Sequence, residues 1–192
     1  AAPAARNAGE PRTACLLSRR RKRFLLNEAA LLAAARSRGF EAVALPLETM
    51  TVKEQLAALG RCDVFAGVHG SGLNNIHFLR PGRVCVVQLL PYLVGERYVG
   101  AFPGMARSRG FKYVEWRATN RSLSTFHWEY APRAAREADA AGRNRWLDGR
   151  ADKNAPTHVA RVSNQELYSF WINQDLVVPT DEFGAALGGC GF

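Results

Sequence analysis

Residues Asp63 to Gly82 read DVFAGVHGSGLNNIHFLRPG, and the fold turns on them. The run Val64-Phe65-Ala66-Gly67-Val68 is apolar at every position and short, as in a strand buried on both faces. It stops at His69-Gly70-Ser71-Gly72, after which Leu73, Ile76 and Leu79 recur at helical spacing. Pro81-Gly82 then ends the segment by removing an amide donor and permitting positive φ. A strand, a small-residue turn and a helix aim free amides and the positive end of a dipole at an anion.

The same rhythm repeats on both sides. Thr13 to Ser18 is a first apolar strand, followed at once by the basic run Arg19-Arg20-Arg21-Lys22-Arg23. Asn27 is a suitable N-cap for a helix over Glu28 to Arg38, and Gly39 is a natural stop. Phe40 to Leu45 reads as the second strand, and Thr51-Val52-Lys53-Glu54 is a capping box opening a helix that ends at Gly60. Arg83 to Leu90 is a fourth strand and Phe111 to Trp116 a fifth; Gly100, Pro103 and Gly104 argue against one long helix between them.

Strands alternating with helices imply βαβ units, so the expected class is α/β, a Rossmann-like doubly wound parallel sheet. The expected strand order is 3-2-1-4-5, with a crevice at the strands' carboxyl ends. The expected organisation is a linker over 1–12, a Rossmann-like domain over 13–116, irregular loops over 117–162, and a carboxyl-terminal helix, extended segment and tail over 163–192. Ser163 to Glu166 reads as a second capping box, and Gly188 to Phe192 as a frayed tail.

Composition bounds the function classes. In 192 residues, 47% hydrophobic and 22% charged, there is enough apolar material for one good core. A net charge of +9 and a pI of 9.9 suit nucleic acid, an anionic membrane or a phosphorylated small ligand. No apolar run approaches the roughly 20 residues of a membrane-spanning helix. The chain starts at Ala1 without a signal-peptide pattern, so a targeting segment is expected upstream. Cys15, Cys62, Cys85 and Cys190 lack zinc spacing; Cys15 and Cys85 read as buried thiols, and no disulfide framework is expected.

Candidate site residues gather at the two loops. Arg19 and Arg23 follow the first strand, where a dinucleotide-binding domain would carry G-x-G-x-x-G. There they would neutralise a diphosphate by charge-assisted hydrogen bonds; the alternative is a solvated basic surface. His69 would contact a ligand or fix its own turn. Gly70 and Gly72 let the backbone turn closely, and Ser71 is either an N-cap or a phosphate donor. Walker-type, G-x-S-x-G and D-x-D patterns are all missing from the sequence.

The order and spacing of several short motifs resemble glycosyltransferase family 61. They are S-R-x-x-x-R-x-x-L-N-E at Ser18 to Glu28, L-E at Leu47-Glu48, and HG-x-x-L at His69 to Leu73. F-L-x-P-G at Phe78 to Gly82, LLPY at Leu89 to Tyr92 and YVEWR at Tyr113 to Arg117 continue the series. The last of these, with the aromatic helix leading to Gln174-Asp175, is most similar to the branch that glucosaminylates O-mannose glycans; the family also holds plant β-1,2-xylosyltransferases and an EGF-domain O-GlcNAc transferase.

The resemblance implies half of a GT-B fold, the carboxyl-terminal half that holds the nucleotide. It implies an inverting, UDP-sugar-dependent transferase of glycoproteins, with UDP-GlcNAc or UDP-xylose as donor. On it, Arg19 and Arg23 would contact the diphosphate, the Gly70 to Gly72 amides would assist, and Glu48 to Thr51 would border the uridine. No cofactor is required and metal dependence stays open; His69 is the one candidate for a general base. The implied partners are a nucleotide-sugar donor, a glycoprotein or glycan acceptor and an amino-terminal GT-B domain, with no nucleic acid. The implied compartment is the Golgi or endoplasmic reticulum lumen, through an upstream membrane anchor. The alternatives are a basic α/β module that binds nucleic acid and a non-catalytic transferase-like domain.

Overall fold

The computed structural model describes residues 11–94, 99–152, 159–160 and 168–192. Most of the expected linker and the capping box at Ser163 to Glu166 lie outside the described residues. Five parallel strands form the central sheet: β1 (Thr13–Leu17), β2 (Glu41–Leu45), β3 (Val64–Val68), β4 (Cys85–Leu90) and β5 (Lys112–Arg117). β1, β3 and β4 are buried at every residue, which is why their sequences show apolar runs in place of alternation. The class is therefore the expected α/β, Rossmann-like parallel sheet.

The strand order corrects one expectation. It is β2-β1-β3-β4-β5, not 3-2-1-4-5. After β2 the chain crosses back over β1, so β3 pairs with β1 on the side away from β2. The winding reverses between β1 and β3, and the loops leaving those two strands flank the switch point.

Helices cover both faces. α1 (Glu28–Arg36) packs on one face beside a carboxyl-terminal helix, Thr180–Gly189, through Leu31, Ala35, Phe183 and Leu187. The other face carries α2 (Val52–Leu59), a 3-10 helix (Ser71–Phe78) and α3 (Ala101–Ser108), through Leu59, Leu73, Ile76, Phe102 and Ala106. α2 keeps its capping box: Thr51 and Glu54 satisfy each other's amides. α3 tolerates Pro103 because a proline in the first turn removes an amide that has no intrahelical acceptor.

The described residues after β5 add further strands and helices. β6 (Ser124–Phe126) is followed by α4 (Arg133–Arg136), α5 (Ala140–Arg150), a short β7–β8 pair (Ala151–Asp152 with Val159–Ala160), α6 (Tyr168–Ile172) and β9 (Gln174–Leu176). β6 pairs antiparallel with β9. A third apolar cluster unites Leu90, Leu93, Leu147, Phe170 and Trp171, with Trp146 stacked on Trp171 at 5.7 Å between centroids. The Thr180–Gly189 helix is α7, and the segment after it is tied down.

The cysteine expectation is overturned as well. Cys15 is bonded to Cys62 and Cys85 to Cys190, and no cysteine is free. Both pairs bridge positions distant in sequence, 47 and 105 residues apart, so no local spacing could announce them. Cys190 is 3% exposed and anchors the expected frayed tail to β4.

Candidate functional site

The loop after β1 and the turn after β3 meet at the carboxyl rim of the sheet. His69 directly extends β3, and its amide continues the ladder by donating to Leu89 O at 2.9 Å. Gly70 follows with φ +149°, and the first amide to turn back is that of Leu73, donating to Gly70 O at 2.9 Å. Those of Ser71 and Gly72 precede this bond, the geometry of an anion-facing helix start. Ser71 is exposed and is the helix's first residue; the N-cap is Gly70, with no side-chain cap, so the N-cap reading of Ser71 is excluded.

Arg23 lies across this turn. Its backbone occupies the left-handed region at φ +63°, a conformation that costs a non-glycine residue of order 1–2 kcal/mol. Three contacts hold it there. Nε donates to Asn173 Oδ1 at 2.9 Å, Nη1 donates to His69 O at 3.4 Å, and the next amide, Phe24 N, donates to Asp175 Oδ1 at 2.8 Å. Arg23 is 6% exposed, and its guanidinium rests on Gly70, where a Cβ would lie 1.6 Å from Nη1.

Arg19 reaches the same turn from the outside. A Cβ on Gly72 would lie 3.1 Å from its Nη1 and 2.5 Å from Leu17 Cδ2. Arg19 Nε bonds Glu48 Oε1 at 2.8 Å, while Arg20 N donates to Glu48 Oε2 at 3.3 Å. Glu48 stands in a 3-10 turn, Leu47–Thr49, just after β2. The structure thus brings Arg19, Arg23, Glu48, His69, Gly70, Ser71 and Gly72 to one rim. Arg20 and Arg21 point to solvent, and Lys22 lies over the Tyr130 ring at 5.8 Å.

His69 is 1% exposed. Nδ1 meets Gln88 Nε2 at 2.9 Å, and Phe102 packs edge-on at 5.4 Å. Burial, with the charges of Arg23 and Arg117 added, lowers its pKa to about 4, so the ring is neutral at pH 7. Among the described residues, no group of three or more His, Cys, Asp and Glu side chains could hold a metal ion.

Sequence reasoning missed the residues that shape the Arg23 loop. Asn173 and Asp175 bind it from β9 and its approach; Leu26 N donates to Leu176 O, Leu176 N donates to Phe24 O, and the Asn27 amide exchanges two bonds with Val178. Asn27 therefore ties α1's start to the carboxyl-terminal segment and gives α1 no side-chain cap. The only available signal was the polar Asn173-Gln174-Asp175 run beside an aromatic helix.

The family profile and the curated relatives that match the chain name the same class of protein. Residues 3–87 match the family profile described as Glycosyltransferase 61. Over 107 residues the chain is 36% identical to alpha-1,3-arabinosyltransferase XAT2 of Oryza sativa subsp. japonica, covering 53% of this chain and 18% of that protein. Over 112 residues it is 30% identical to beta-1,2-xylosyltransferase XYXT1 of the same organism, covering 54% and 22%. The chain thus spans about a fifth of the length of these relatives. A structural similarity to diflavin flavoprotein A3 from Nostoc sp. has a TM-score of 0.42 at 9% identity, over 58% of this chain and 81% of that one. The profile match over residues 3–87 and the two rice relatives agree on one lineage: the chain is similar to members of glycosyltransferase family 61.

Proposed function

We propose that this chain is the donor-binding half of a GT-B, inverting glycosyltransferase, with the diphosphate of a UDP-sugar held between the Arg19–Arg23 loop and the His69–Gly72 turn. The observation that carries the reading is the meeting of those two loops at the switch point between β1 and β3. As the donor's C1–O bond breaks, charge builds on the leaving UDP, and cationic side chains with fixed amides stabilise it there. The acceptor hydroxyl forms the new bond to C1 and loses its proton to a base outside this rim. His69 is a poor general base, because its pKa of about 4 leaves it weakly basic and it is buried. Acceptor and base then belong to the amino-terminal half.

The names of the two rice relatives, an arabinosyltransferase and a xylosyltransferase, favour a UDP-pentose over UDP-GlcNAc. Two disulfides fit an oxidising compartment, in line with a secretory-pathway enzyme acting on glycans or glycoproteins. Among the described residues no helix is long and apolar enough to cross a membrane. The inward set of Arg23 and the Arg19–Glu48 pair disfavour the nucleic-acid reading, which wants cations free along a surface.

Calorimetric titration with UDP and with uridine tests the proposal. UDP should bind more tightly than uridine, and Arg19→Ala should weaken UDP alone by about 1.5–3 kcal/mol. Equal affinity for the two ligands would reject the diphosphate site.

A further inference from the structure

One buried polar chain is left over once the two loops are described. Gly67, Gln88 and Glu115 occupy one register row across β3, β4 and β5. On the face where Phe65, Val86 and Tyr113 join an apolar cluster, this row is polar. Gln88 is 0% exposed. Its Oε1 accepts from Tyr113 Oη at 2.8 Å, and its Nε2 lies 2.9 Å from His69 Nδ1. Tyr113 Oη also lies 3.2 Å from Glu115 Oε2, and Glu115 Oε1 bonds Arg117 Nη2 at 2.8 Å. The chain therefore runs from the edge strand β5 to the imidazole at the centre of the rim.

The polarity of this chain decides what His69 presents. With Tyr113 donating to Oε1, Gln88 turns its amide N–H to His69 and makes Nδ1 an acceptor. A neutral ring then carries its proton on Nε2. That nitrogen is buried and has no hydrogen-bond partner among the described residues. An unmade hydrogen bond at a buried donor is costly, and such groups in native proteins call for an explanation.

We propose that Gln88 is a positioning residue that, with Tyr113 behind it, fixes His69 as the Nε2–H tautomer, a neutral donor to an oxygen of the bound nucleoside diphosphate. This rests on the donor-site reading above and adds to it the role of a residue that touches no ligand. A neutral donor beside Arg23 can hold a phosphate oxygen in place without bringing a further cation next to the guanidinium. It also explains why a histidine stands at a strand end with one nitrogen satisfied from behind and the other by none of the described residues.

The test uses the whole chain labelled with 15N-histidine. Long-range proton–nitrogen correlation on the ligand-free protein at pH 7 should show His69 protonated at Nε2 and bare at Nδ1; the reverse tautomer overturns the proposal. Addition of UDP should shift the Nε2 resonance; an unshifted resonance with UDP bound assigns that proton to an internal water and also overturns it. Gln88→Glu keeps the shape but offers Nδ1 only an acceptor. It should move the proton to Nδ1 and weaken UDP roughly tenfold. His69→Gln places an amide N–H near the Nε2 position and should bind UDP more tightly than His69→Phe, again by roughly tenfold. Equal UDP affinity of those two variants overturns the ligand contact even if the tautomer is as stated. Failure of the wild type to bind UDP would reject the donor site itself, whereas these outcomes with UDP bound reject the relay alone.

Discussion

Arg23 and Asn173, 150 residues apart, are joined by a 2.9 Å hydrogen bond from Nε to Oδ1 inside the protein. The bond closes the carboxyl-terminal segment over the loop after β1 and fixes where the guanidinium lies. Asn173→Ala should therefore loosen the loop without touching a ligand. The expected loss is about 1–3 kcal/mol of stability, because a buried charged donor loses its acceptor, together with weaker UDP binding. Urea unfolding and calorimetry check both. Unaltered stability and affinity would show that the loop holds its shape by other means.

Gly70 admits no side chain. Its φ of +149° is one that L residues rarely adopt, and a Cβ would stand 1.6 Å from Arg23 Nη1. Gly70→Ala should cost of order 1–3 kcal/mol in backbone strain alone and displace the guanidinium. UDP binding should fall below that of Arg19→Ala. A variant that binds UDP like the wild type would mean that Arg23 takes no part in the site.

The lowered pKa of His69 predicts a pH dependence. A histidine with a folded pKa of about 4 and an unfolded value near 6.5 takes up its proton more readily when unfolded. Its contribution to stability is complete above about pH 6.5 and is lost as pH falls toward 4. The size is at most about 3 kcal/mol, at 1.36 kcal/mol per pH unit. Wild type should lose more stability than His69→Gln between pH 7 and pH 4.5 in parallel urea titrations. Identical slopes would contradict a buried neutral imidazole.

The bond between Cys85 and Cys190 fastens the end of α7 to the inner strand β4. Replacing both cysteines by alanine should cost about 2–5 kcal/mol. Protection of α7 amides from hydrogen exchange should fall first, before that of β1 or β3. Loss of protection spread evenly over the sheet would mean that α7 is held by its apolar face alone.

Much of the architecture was legible because buried parallel strands leave continuous apolar runs: VFAGV at Val64 to Val68 and CVVQLL at Cys85 to Leu90 need no partner to be recognised. The Thr51–Glu54 capping box was legible for a similar reason, being wholly local. Strand order was not. Whether β3 joins β1 or continues outward is settled by which side of β1 the crossover after β2 reaches, and no residue in the strands records it. The disulfides escaped because each pairs cysteines whose neighbours look like ordinary core. The two basic-loop arginines and the glycine turn could be placed at one rim from the alternation of elements. Asn173, Asp175 and Gln88 could not, since a single polar residue in an apolar context announces burial without naming its partner.

The most direct measurement is the pattern of backbone amide shifts in the 15N-labelled protein as UDP is added. The account predicts the largest changes at Ser71 and Gly72 and through Arg19 to Phe24, with the amino-terminal end of the sheet unmoved. Changes centred elsewhere, or none at saturating UDP, would contradict it.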